Sequence, residues 1–174
     1  TNNINTNSKI STDRLKSLSV GRKIVLENSY KQATQEAEKD FHLFKKDPLF
    51  TAGLMIYAGE GDKRSINNSR MSNSEFYLHK IFIDFAIKYL NIKRENIKIG
   101  LILYGDLDEK ECLDKWSREL DIPITNFYKT QFIKGKEKNK KLQYGVGISI
   151  ISSTVIVKKK ILKWLELCQT GKLL

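Results

Sequence analysis

The 174-residue sequence is short of the residues that build covalent or metal scaffolds, with only two cysteines, two histidines and two prolines. Cys112 and Cys168 each lie inside an apolar helical pattern and form no CxxC pair. That argues against a disulfide framework and against a zinc site. No apolar run approaches the length of a membrane span, and the opening "TNNINTN" lacks the layout of a signal peptide. A reduced, cytoplasmic location without a membrane partner is therefore expected. Acidic residues are scarce too: 20 Asp and Glu stand against 31 Lys and Arg, a net charge of +11. Such an excess points to a polyanionic partner, nucleic acid first, set against a merely lysine-rich background composition. No internal repeat is visible.

What is present reads as an alternation of helices and strands. Residues 1–10 are polar and Asn-rich, a tail or linker, and residues 11–46 form a basic helical extension with sparse apolar positions (Leu15, Leu18, Ile24, Leu26, Tyr30, Ala33, Ala37, Phe41). Pro48 after Asp47 suits the start of a new helix. That helix, Leu49 to about Tyr57, is apolar nearly all round and should be buried on most sides. Gly53 within it weakens an isolated helix by roughly 1 kcal/mol relative to Ala. Either a second backbone packs close there or the glycine is merely tolerated.

After a short extended piece around 63–70, residues 73–90 place Leu78, Ile81, Phe82, Phe85 and Tyr89 on one helical face. Residues 96–105 alternate as a strand with one packed face, Ile97, Ile99, Leu101 and Leu103. A helix over 106–120 carries acids in its first turn and Leu113, Trp116 and Leu120 along one side. Two strands follow, about 125–133 and 142–151. In the second, Leu142, Tyr144, Val146, Ile148 and Ile150 are expected to face the core, and Gln143, Gly145, Gly147 and Ser149 the open side. The last helix, 154–169, turns Val157, Ile161, Trp164, Leu165 and Cys168 inward and Lys158, Lys159, Lys160 and Lys163 outward. The expected fold is α+β, with helices packed on one face of a small antiparallel sheet and a small, polar open face.

Two clusters carry candidate chemistry. Glu60 and Asp62 flank Gly61 at the end of the buried helix, where carboxylates oppose the helix dipole but suit a divalent cation. The competing reading is a simple helix stop with solvated acids. The loop 134–141 holds Lys134, Lys136, Lys138, Lys140 and Lys141 between two strands expected to pair, so it reads as a basic hairpin tip able to follow phosphates. Lys63, Arg64, Lys98, Gln143 and Ser149 join it as candidate nucleic-acid contacts. His42 and His79 have no evident catalytic partner and read as surface or packing residues. Trp116 and Trp164 have core spacing.

"TAGLMIYAGEGDK" resembles the name-giving helix of the LAGLIDADG homing endonucleases, with Gly53 near the helix–helix contact and Glu60-Gly61 where the family's acid-Gly ends the motif. "NNSRMSNSEFYLHKIFIDFAIKYL", "LDEKECLDKWSRELDIP", "NFYKTQFIKGK" and "YGVGISIISS" continue the likeness to the single-motif bacterial and archaeal type, over roughly residues 48–168. The resemblance implies a LAGLIDADG-like domain over 47–170 whose sheet forms a DNA-binding saddle. It also implies a homodimer joined through Ala52, Gly53, Ile56 and Tyr57. Glu60 and Asp62 would then hold Mg²⁺ or Mn²⁺ at the seam, with Lys129 or Lys141 assisting phosphodiester hydrolysis in double-stranded DNA. A non-cleaving DNA-binding regulator, or an RNA-splicing accessory protein, is the alternative.

Overall fold

Asp47 and Pro48 begin the central helix, α2 (Pro48–Glu60), as the sequence anticipates. The Asp47 carboxylate accepts from the Leu49 N–H at 3.0 Å, and Pro48 stands in the first turn, where an N–H has no helical partner to lose. In the computed structural model, which describes residues 2–134, 142–152 and 154–171, α2 is preceded by α1 (Asn2–Phe44) and followed by β1 (Ser69–Asn73) and α3 (Phe76–Leu90). Then come β2 (Lys98–Tyr104), α4 (Glu109–Leu120), β3 (Gln131–Ile133), β4 (Val146–Ser152) and α5 (Val155–Gln169). The result is an α+β fold with five helices and a four-stranded sheet among the described residues.

The sheet order is β1-β4-β2-β3, with β4 antiparallel to both neighbours and β2 parallel to β3. The sheet is therefore mixed, not antiparallel as expected. Because β2 lies between β3 and β4, those two strands do not pair and the basic hairpin reading fails. Of that loop, Lys134 is described and exposed, whereas Lys136, Lys138, Lys140 and Lys141 lie outside the described residues. Strand β1 falls at the end of the piece read only as extended, and its burial alternates around Met71.

β2 packs Ile99, Leu101 and Leu103 against the helices, as its alternation foretold. β4 does the reverse of the expectation. Its buried positions are Gly147, Ser149 and Ile151, and its half-buried, outward ones are Val146, Ile148 and Ile150. The cause lies in the helix layer. Trp116 presses onto the strand so closely that a Cβ on Gly147 would stand 2.4 Å from its ring, and His79 bonds Ser149 at 2.7 Å. Large helix side chains take the space, so the strand supplies small ones. The open face is consequently apolar at its centre.

The last helix also differs. Lys158 is buried, Lys160 pairs with Glu36 and Asp40, and Lys163 with Glu38, so the outer side is not simply basic. These pairs clamp α5 to α1, and Trp164 Nε1 donates to the Ala37 carbonyl at 2.9 Å. Ala33, Ala37 and Phe41 are buried, and Ala37 and Phe41 share one core with α2, α3 and α5. The end of the expected extension thus belongs to the domain, while Leu15, Leu18, Ile24 and Leu26 are exposed. The backbone is helical from Asn2, where a tail was expected.

Gly53 is needed for close approach, and the neighbour is α3 of the same chain. A Cβ there would stand 2.3 Å from Phe85 Cβ, while one on Gly59, the penultimate residue of α2, meets nothing within 4 Å. Gly53→Ala is expected to lose about 1–3 kcal/mol by overpacking despite the better helix propensity. Gly59→Ala should gain up to about 1 kcal/mol. Urea unfolding of the two variants checks this, and equal shifts would remove the tight α2–α3 contact.

Candidate functional site

The end of α2 is built around its cap. Gly61 N–H bonds the Tyr57 carbonyl at 2.9 Å, and a Cβ at Gly61 would stand 2.4 Å from that same oxygen. Glu60, one residue earlier, is exposed and has no hydrogen-bond or ion-pair partner among the described residues. Lys63 Nζ donates to the Ala58 carbonyl, offsetting the negative end of the helix. The loop then joins the sheet edge: Asp62 N–H bonds the Arg70 carbonyl at 2.9 Å, and Gly61 bridges to Met71.

Asp62 is not a free metal ligand. Its Oδ1 accepts from the N–H groups of Arg64 and Ser65, each at 3.0 Å, and its Oδ2 pairs with Arg70 Nε and Nη2. Those backbone bonds, with the Arg70 guanidinium, hold its carboxyl below the usual range. No group of three or more His, Cys, Asp or Glu that would suit a metal is found among the described residues. In one chain, Glu60 is the acid left available.

Behind this loop sits Lys158, buried on α5. Its ammonium donates to the Tyr57 hydroxyl at 2.5 Å, to the Asp62 carbonyl, and to the Asn68 carbonyl at 3.0 Å. Burial pulls it below the usual lysine range, with the Asp62 carboxylate opposing, and burial raises the Tyr57 phenol. The sequence hid this residue inside a run of lysines.

The open sheet face carries the other candidates. Arg70 and Ser72 on β1, Lys98, Gly100, Ile102 and Tyr104 on β2, and Val146, Ile148 and Ile150 on β4 share it, as the pairs Arg70–Ile150 and Gly100–Ile148 establish. Tyr128 N–H bonds the Ile99 carbonyl, bringing exposed Tyr128, Lys129 and Gln131 to the β2 side. Lys98 reaches Asn126 Oδ1 at 3.2 Å. Arg64 and Gln143 are exposed. Arg70, which sequence reasoning passed over, belongs here; the alternation around Met71 was the available signal.

Several predicted residues are elsewhere. Ser149 is buried and occupied by His79, so it is no nucleic-acid contact. Gly53 and Tyr57 are buried against α3 within the chain, leaving Ala52 and Ile56, half-buried, as the seam candidates that reach the surface. Lys129 precedes β3 and Glu60 precedes β1, on opposite sheet edges about 14 Å apart at ~4.8 Å per strand. The structure does not bring them together in one chain. No family model matches the chain, nor does any curated protein or solved structure.

His79, buried as packing, fixes the sheet from behind. Nε2 lies 3.0 Å from the Asn73 carbonyl, so it carries the proton, and Nδ1 accepts from the Ser149 hydroxyl. Burial pushes its pKa down to about 4, the carbonyl bond opposing. Because the folded value lies below the unfolded one of about 6.5, this stabilising term is full above pH ~6.5 and is lost as pH falls through ~4. The loss is about 3 kcal/mol. Tm measured from pH 7 to 4 should fall more steeply for wild type than for His79→Gln; parallel slopes would assign the acid sensitivity to other groups.

Proposed function

We propose that this chain is a homodimeric, metal-dependent endonuclease of the LAGLIDADG homing-endonuclease type, acting on double-stranded DNA laid across its open sheet face. The observation that carries the reading is the two-sidedness of α2. Phe50, Gly53, Leu54 and Tyr57 are buried inside the chain, while Ala52, Met55, Ile56 and Gly59 form a second stripe at helical spacing, half-buried to exposed. The same helix ends in Glu60, which has no partner among the described residues. Joining two copies along that stripe sets two carboxylates side by side at a two-fold seam.

One carboxylate per chain, with phosphate oxygens and water, is a hard donor set of the kind Mg²⁺ or Mn²⁺ accepts. Such an ion would supply an activated water and stabilise the leaving oxygen of in-line hydrolysis. The chain's own residues would do the rest. Arg64, Lys129 and Lys134 are exposed and suited to phosphates, and the net charge of +11 favours encounter with the duplex. Lys141 remains a proposed assistant from the sequence alone.

A second reading, a non-cleaving DNA-binding regulator or an RNA-splicing accessory protein, is favoured by Asp62. With both oxygens of Asp62 engaged, Glu60 is the member of that acidic pair left without a partner among the described residues.

The test is cleavage of a randomised duplex library with Mg²⁺ and with Mn²⁺, comparing wild type and Glu60→Gln, alongside sedimentation with DNA present. The expected result is a dimer, salt-sensitive binding by both proteins, and cuts by wild type only. Binding without cuts in either protein would favour the regulator. Absence of salt-sensitive binding would remove the nucleic-acid reading.

A further inference from the structure

The apolar centre of the open sheet face is interrupted by a hollow at Gly100. Its floor is Gly100, Ile148 and Ile150, and its rim is Arg70, Tyr128, Lys129 and Gln131. Glycine in a strand interior weakens the strand, and where it occurs it commonly marks a bulge or the close approach of something else. Neither an internal contact nor the backbone explains Gly100. The atoms nearest a Cβ built there belong to Ile148, at 3.5 Å or more, an ordinary contact, and its φ is not in the left-handed region. Contrast Gly147 on the adjacent strand, where Trp116 fills the space. The hollow at Gly100 is open toward solvent.

Its chemistry is specific. Tyr128 is 54% exposed, an unusual placement for a large ring beside an apolar floor. Arg70 spends Nε and Nη2 on Asp62, which fixes the guanidinium and leaves Nη1 without a partner among the described residues. Gln131 adds an amide with both donor and acceptor, and Lys129 a mobile cation. A flat ring would lie on the isoleucine floor and against the tyrosine, its polar edge meeting Arg70 and Gln131, and an attached phosphate meeting Lys129.

We propose that this hollow seats one unstacked nucleobase of a bound nucleic acid, with Tyr128 as its stacking partner and Gly100 as the vacancy that admits it. The proposal rests on the nucleic-acid reading above and adds a subsite to it. The base comes either from a single strand or by extrusion from a duplex, since both present the same ring and phosphate.

The experiment is fluorescence anisotropy of the full chain with a labelled mixed-sequence single strand, its duplex, and the same strand with abasic sites. Variants are Tyr128→Ala, Tyr128→Phe and Gly100→Val, each checked by thermal melting. Gly100→Val should melt no lower than wild type, because a β-branched residue suits a strand and the space is open. On the single strand, Tyr128→Ala and Gly100→Val should each weaken binding roughly tenfold, and Tyr128→Phe by less than about twofold. The effect should vanish on the abasic strand. An equal loss on the duplex would identify an extruded base, and a loss on the single strand alone an already unpaired one; both support the hollow. If wild type binds but Tyr128→Ala and Gly100→Val bind equally well, or lose as much on the abasic strand, the base seat is overturned while nucleic-acid binding stands. If wild type binds none of the probes, both readings fall.

Discussion

A buried ammonium ties the last helix of this fold to the turn that ends α2. Lys158 is 1% exposed, and a cation so placed is tolerated only where acceptors replace its lost water. All three acceptors, the Tyr57 hydroxyl and the carbonyls of Asp62 and Asn68, come from the short stretch that ends α2 and leads into β1. α5 therefore fixes that stretch as a unit, across 96 residues of sequence from Asp62. What hangs from it is the part of the surface with the most chemistry. Glu60 precedes the clamped turn, Arg64 rides on it, and Arg70 is tied to it through Asp62.

The thickness of the helix–sheet layer is set at two small residues. Trp116 needs Gly147 beneath it and donates Nε1 to the Tyr144 carbonyl at 2.8 Å, while His79 needs the Ser149 hydroxyl. Once β4 gives its small positions to the helices, Val146, Ile148 and Ile150 must face outward with Ile102. The apolar open face is thus a consequence of how the opposite face packs. Its rim of Arg70, Lys98 and Lys129 gives that face a composition suited to a charged, partly apolar ligand.

These two features mark what a sequence reading can and cannot reach. Periodicity of two located β2 and β4 and told their faces apart, but which face is inner was inferred from side-chain size. That inference holds for β2, where Ile99, Leu101 and Leu103 fill the core, and fails for β4, where the volume comes from the helices. Sequence adjacency suggested that β3 and β4 pair; β2 takes the place between them, a non-local choice that no local pattern encodes. The Asp47-Pro48 start and the glycine end of α2 were legible because caps are local. Asp62 was not, since its engagement depends on Arg70 eight residues away, and Lys158 looked like its exposed neighbour Lys159.

Glu60 remains the residue whose surroundings explain least within one chain. A carboxylate at the C-terminal end of a helix is repelled by the exposed carbonyls, and a chain with an excess of 11 positive charges has many cations that would relieve it. Yet three of the cations nearest it are committed elsewhere, Lys63 to the Ala58 carbonyl, Arg70 to Asp62 and Lys158 of α5 to the interior, and Arg64 engages Asp62 through its backbone N–H. On the dimer reading the imbalance grows, because a second Glu60 would stand beside the first. Two like charges at a seam oppose association until a cation enters, so assembly and divalent-ion binding become linked equilibria in that reading, each favouring the other. The acid's lack of a partner among the described residues then has a physical reason, since a residue already neutralised inside the chain would have little affinity left for an ion shared between two.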